Sequence, residues 1–211
     1  MIDNRKNSAI KKALIKIYND KAKNYGEDIR ALGWNSIRSQ EIRFKVLMEI
    51  GDLQKRSILD IGCGFGDLYG YLLKKRTGFK KYLGIDINPK MIAIAKRRYP
   101  EANFKVGDIL ENFPNVHFDY VLASGIFAFE IPNWEDHCLL VLRQMYNLCN
   151  IGVSVNFLSY FTQGEKVANA NYVHPARIIH FIGSNISRKF VLRHNYKIND
   201  FTVYIYKDKF E

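Results

Sequence analysis

Three cysteines, no CxxC pair and no long apolar run set the first limits on this chain. Cys63, Cys138 and Cys149 are widely spaced, and no Cys/His cluster has the spacing of a zinc site. Neither a disulfide framework nor a metal centre is therefore expected, and the thiols read as reduced, in a cytoplasmic setting. No stretch approaches the roughly 18 apolar residues of a membrane span. Charges thread the apolar positions of the opening MIDNRKNSAIKKALIKIYND, which rules out a signal-peptide core. Internal repeats, low-complexity tracts and linkers are also lacking.

What remains is 211 residues, 47% hydrophobic, a length that suits one domain over 1–211 with a helical cap over about 1–50. The net charge of +11 would suit a polyanion such as RNA. A composition rich in Asn, Ile, Tyr and Phe, as an AT-rich coding sequence produces, raises lysine without any such partner. Basic doublets such as Lys74-Lys75, Lys80-Lys81 and Arg97-Arg98 are scattered rather than gathered. A solvated basic surface is the preferred reading, and an RNA partner the second.

The hydrophobic period changes along the chain. Ile10, Leu14, Ile17 and Tyr18 recur at helical spacing between Ser8 and Tyr25, and a second helix is expected from about Ser36 to Ile50. Then come short apolar, β-branched runs at 57–63, 82–88, 103–109, 118–125 and 152–159, as buried parallel strands require. Helical segments lie between them, clearest at 89–99 and at 133–149, where Asn133 could cap the helix and acids fill its first turn. Strand and helix alternation predicts a doubly wound α/β fold of Rossmann-like type. KFVLRHNY and DFTVYIYK, joined by Lys-Ile-Asn, break the alternation and predict a terminal antiparallel hairpin. The expected sheet is mostly parallel and seven-stranded.

Asp60-Ile61-Gly62-Cys63-Gly64-Phe65-Gly66 spans the end of the first strand and the turn into a helix. Glycines there let backbone approach a ligand that a Cβ would exclude. The dinucleotide pattern GxGxxG is not met, and Asp67 would sit badly beside a diphosphate. Asp86 ends the second strand, where a carboxylate can accept two ribose hydroxyls, and Asp108 ends the third, where one can accept an adenine amine. Ile87, Met91 and Ile109 could form an apolar slot for the ring. Three acids without a fixed cation suit a ligand bearing a sulfonium and an ammonium better than one bearing phosphates. Taken singly, each acid could equally be a turn residue or a helix cap.

SILDIGCGFG followed by GIDINP, VGDI and FDYVLASG resembles the motif series of class I S-adenosylmethionine (SAM)-dependent methyltransferases, over about residues 18–160 and with the terminal hairpin agreeing. The resemblance implies SAM as cofactor, with Gly62, Cys63 and Gly64 bordering its methionyl part. Asp86 would hold the ribose, Asp108 the adenine, and Ser124-Gly125 the rim facing the methyl group. Tyr18 and Tyr25 resemble aromatic residues that small family members fold over the cofactor, or else they pack the first helix on the sheet edge. Methyl transfer from a sulfonium is an in-line displacement that alignment can largely accelerate, so no loud catalytic motif is expected.

Ser124-Gly125-Ile126-Phe127 stands where exocyclic-amine nucleic-acid enzymes carry Asn/Asp-Pro-Pro-aromatic, and no Pro-Cys is present there either. Candidates on the acceptor side are Glu130, as a base, an ammonium ligand or a plain loop acid, and His174 before Pro175. Trp34, Gln40 and Arg43 lie in a region that could cover the ligand, and Trp34 and Gln40 could equally be fold-packing residues. His137 and His194 are weaker candidates, and 160–175, with Gly164, is a candidate acceptor loop. A small-molecule acceptor is the leading expectation, with RNA methylation or a nonenzymatic SAM-binding regulator behind it. Oligomeric state cannot be read from the sequence.

Overall fold

The computed structural model describes residues 4–207 apart from Asn112, Asn115, Gly164 and Lys197. Gly164 of the candidate acceptor loop and Lys197 of the hairpin connection thus lie outside the described residues. The amphipathic N-terminal segment forms α1 (Asn4–Tyr25). A 3-10 turn not foreseen from the sequence follows at Ile29–Leu32, because the Asp28 carboxylate accepts the Arg30 N–H and Gly33 closes the turn. Helix α2 (Ile37–Met48) starts where Ser36 Oγ accepts the Ser39 N–H at 3.1 Å.

Beyond it strands and helices alternate: β1 (Ser57–Ile61), α3 (Asp67–Lys74), β2 (Lys81–Asp86), α4 (Pro89–Arg98), β3 (Phe104–Val106), β4 (Phe118–Ala123), α5 (Trp134–Leu148) and β5 (Cys149–Ser159). The chain ends with β6 (Tyr172–Val173), α6 (Pro175–Asn185), β7 (Phe190–Arg193) and β8 (Asp200–Tyr206). The sheet runs β3-β2-β1-β4-β5-β8-β7. Strands β1 to β5 pair in parallel, and β8 is antiparallel to both β5 and β7, as the hairpin required. These seven are joined by an eighth, β6, whose two residues extend β5 in parallel from inside the expected loop.

Both sheet faces are covered, which is why the strands read as continuous apolar runs. Leu59, Val121, Val153 and Val155 pack on Leu142 and Met145 of α5, while Ile58, Leu122 and Tyr82 pack on Leu47, Leu68 and Leu72 of α2 and α3. Several edges depart from expectation. Asn133 precedes α5 in a left-handed conformation without a side-chain capping bond, leaving Glu135 and Asp136 to complement the helix end. Cys149 opens β5 rather than closing α5, and β7 stops at Arg193, so His194 lies beyond it.

Candidate active site

The site forms at the carboxyl edge of the sheet, where the chain reverses direction across β1 between β2 and β4. After β1 the backbone turns through Gly62 and Gly64 at φ of 69° and 54°, and the N–H groups of Gly62 and Cys63 both donate to the Ile85 carbonyl. A Cβ on Gly64 would fall 3.0 Å from Leu32 in a conformation that L-residues rarely adopt. The loop is thereby pinned to the end of β2, and Asp86 completes it. One Asp86 carboxylate oxygen accepts the Gly64 N–H at 3.0 Å and the other the Asn88 N–H at 2.8 Å.

A cleft of about 1140 Å³, counted to its open mouth, runs along this edge. Its floor is built from Asp60, Gly62, Cys63 and Gly64, and one wall from Asp86, Ile87 and Met91. Asp108 and Ile109 lie toward one end, Ser124 and Gly125 toward β4, and Tyr18 above. Tyr25 is not among the lining residues: it is 43% exposed, with the Arg30 guanidinium 5.0 Å from its ring. Glu130 is exposed in the loop after β4, its backbone paired with Asn169. His174 caps α6, its Nδ1 accepting the Ala176 N–H at 3.2 Å, and its ring packs on Phe161. Neither Glu130 nor His174 lines the cleft.

The roof comes from a part of the chain whose periodicity signalled only packing. Asn7, Ile10, Lys11 and Leu14 share the α1 face of Tyr18 and line the cleft with it. Lys11 reaches Glu111 at 2.5 Å, Asn19 accepts from Asn88 at 3.1 Å, and the Tyr18 ring meets Phe129 edge-on at 5.5 Å. Trp34 and Gln40 also reach the cleft, as does His137 of α5, whereas Arg43 lies behind it. The 7, 10, 11, 14, 18 spacing was visible in the sequence. Nothing local distinguished a stripe facing a ligand from one facing a core.

Electrostatically the cleft is acidic. Burial pushes the Asp60 carboxyl up to about 7, opposed by the hydrogen bond from Tyr82 Oη at 2.6 Å and reinforced by Asp86 and Asp67. Burial likewise raises Asp86 to about 6 against its two backbone donors. His137 is lowered by burial, with Asp108 opposing, which favours its neutral form. Burial also raises the Cys63 thiol well above its ordinary value, leaving it a small packing residue rather than a nucleophile. Lys11, the lining ammonium, is engaged with Glu111. Such a site calls for a ligand that brings its own positive charge and hydroxyl donors. A sulfonium, an ammonium and a ribose fit those requirements, and a diphosphate does not.

Comparison with known proteins agrees. A family profile described as a methyltransferase domain matches residues 58–152. A Mycobacterium tuberculosis protein that carries a methyltransferase name is 30% identical over 157 residues, covering 72% of this chain and 93% of that one. Ribosomal RNA small subunit methyltransferase A of Mycoplasmopsis synoviae is 29% identical over 135 residues, covering 60% of this chain and 48% of that protein. Among solved structures, magnesium protoporphyrin IX methyltransferase from Synechocystis with bound S-adenosylhomocysteine superposes at a TM-score of 0.65 over 96% of this chain and 100% of that one, at 15% identity, a likeness of fold.

Proposed function

Since this chain belongs to the class I SAM-dependent methyltransferases and uses SAM as its methyl donor, we propose that its acceptor is a small molecule enclosed in the cleft beside Ser124 and Gly125. The carrying observation is the roof. The same α1 face that holds Tyr18 over the glycine loop lines the cleft, and Phe129 fills the side between α1 and Gly33. A bulky duplex would have to displace that cover, whereas a small acceptor can be enclosed by it.

When bound, SAM would supply an electrophilic methyl whose bond to sulfur breaks as an acceptor lone pair attacks from the opposite side, S-adenosylhomocysteine leaving as a neutral thioether. In this reading Asp86 holds the two ribose hydroxyls, and Asp108 with Ile87, Met91 and Ile109 holds the adenine. Asp60 and the loop of Gly62, Cys63 and Gly64 bind the methionyl part, its ammonium facing the buried carboxylate. Tyr18 covers the donor and excludes water. Ser124 and Gly125 border the transferred methyl. Orientation in the site supplies the acceleration, and Glu130 and His174, which stand outside the cleft, are given no part as bases.

The test is transfer from radiolabelled SAM into a cell extract separated into small-molecule, RNA and protein fractions. Label among small molecules supports the proposal. Label in RNA, with binding that weakens steeply as salt rises, would overturn it in favour of a role for the basic surface.

A further inference from the structure

Behind the Ser124-Gly125 end of the cleft, five residues from distant parts of the chain close into a ring. The Gly125 N–H donates to Asn156 Oδ1 at 2.8 Å. Asn156, on β5 and 1% exposed, places Nδ2 3.5 Å from Oδ2 of Asp200 on β8. Asp200, 2% exposed, accepts a bidentate pair from Arg43 of α2, with Nε at 2.6 Å and a terminal nitrogen at 2.8 Å. The Arg43 guanidinium carbon lies 4.7 Å from the Trp34 ring centroid. Trp34 returns to the start: a Cβ on Gly125 would fall 2.5 Å from its indole edge.

The donor and acceptor chemistry of this ring admits one arrangement. A carboxylate only accepts and a backbone N–H only donates, so the Asn156 amide satisfies both neighbours only with oxygen toward Gly125 and nitrogen toward Asp200. Arg43 opposes the protonation that burial favours at Asp200, and Asp200 selects the orientation of the amide. Buried ion pairs of this kind add little stability over apolar side chains of the same volume. The same turn carries Ser124, whose Oγ is buried on the cleft wall without a partner among the described residues.

We propose that Asn156, oriented by the Asp200–Arg43 pair, is a positioning residue for methyl transfer, fixing the Ser124-Gly125 turn and the Trp34 indole against the methyl group. It rests on the reading above that this turn borders the methyl. Trp34 then forms the facing wall of the acceptor site, and the unpaired Ser124 Oγ lies buried in the same turn. A misplacement of about 1 Å at such a turn can cost on the order of a hundredfold in rate.

The experiment is carbon-13 NMR of methyl-labelled SAM bound to the wild-type protein and to Asn156→Ala, Arg43→Met/Asp200→Leu and Ser124→Leu variants, with affinity measured by calorimetry. Transfer into the acceptor fraction of the extract is followed alongside. Asn156→Ala and the double variant should bind SAM within about threefold of wild type, shift or broaden the methyl resonance, and lose transfer on the order of a hundredfold. If Asn156→Ala does not fold, the apolar double variant carries the test, because it leaves no unpaired buried charge. An unmoved methyl resonance and unchanged transfer in these variants overturn the proposal. So does a large loss of SAM affinity, which would make the ring part of the cofactor site. Ser124→Leu separates the two readings. An unmoved resonance there refutes the turn as the methyl rim, whereas a shift there without one in Asn156→Ala refutes only the ring.

Discussion

Replacing Asp86 with alanine should weaken cofactor binding in a folded protein. The carboxylate is nearly buried, with one oxygen on the Gly64 N–H and the other on the Asn88 N–H, which leaves lone pairs for two ribose hydroxyls. Hydrogen bonds to a charged group contribute about 1.5–3 kcal/mol each, so two would give roughly 3–6 kcal/mol gross. Water that rehydrates the ribose in the variant returns part of this. The floor is about tenfold in Kd, or about 1.4 kcal/mol. Near pH 7.5 an acid titrating at about 6 is already ionised, so little of the loss is masked by protonation. Calorimetric titration with S-adenosylhomocysteine, which keeps the ribose and lacks the sulfonium, isolates this contact. Asp86→Asn is the sharper control: its amide would turn a donor toward the Gly64 or Asn88 N–H, and it should bind no better than alanine. An unchanged Kd in either variant, with native circular dichroism, would refute the ribose role.

SAM affinity should rise from pH 5 to pH 8, because Asp60, which faces the ammonium, and Asp86, which accepts the ribose hydroxyls, titrate at about 7 and about 6 and hold these groups best when ionised; calorimetry in two buffers of different ionisation enthalpy should show protons released near pH 6 to 7. In the cofactor-free protein the same two groups have folded pKa values raised above their unfolded ones, so their contribution to stability is full below about pH 4 and is lost as pH rises through 6 to 7. Urea titrations of wild type and Asp86→Asn over that range should show the decline to be shallower in the variant. Gly64→Val, which forces a β-branched side chain at φ 54° against Leu32, should abolish cofactor binding while the sheet still folds; retained binding would mean that this loop is not the cradle. Arg43→Met alone should cost about 3–5 kcal/mol in urea unfolding by stranding the buried Asp200 charge, and most of that loss should be recovered in Arg43→Met/Asp200→Leu.

The parts legible from sequence share one property: each is set by neighbours within a few residues. Period-two and period-3.6 patterning placed the strands and helices, because both sheet faces and one helix face are buried. Gly62 and Gly64 marked a tight turn, and acids at successive strand ends marked a cation-seeking edge before any contact was known. Edges were missed where tertiary contacts overrode local preference, as at β6, whose two residues are strand only because β5 lies beside them.

The candidate site divides along the same line. Asp60 and Asp86 are brought to one edge by parallel registry, whereas Asp108, expected at the end of the third strand, lies two residues beyond β3 in a turn where its carboxylate accepts the Leu110 N–H. By contrast, His174 was a candidate on the acceptor side and is a helix cap, Tyr25 lies away from the cleft, and Ile10 and Leu14 looked like packing and line the cleft. Arg43 and Asp200 meet across 157 positions, and Asn156 meets Gly125 across 31. The sequence by itself determined the fold class and the methyltransferase family. Only the tertiary structure decided the roof and the ring behind Gly125, because local hydrogen bonding and periodicity are written into short windows, while the partner of a buried side chain is chosen by the packing of the whole sheet.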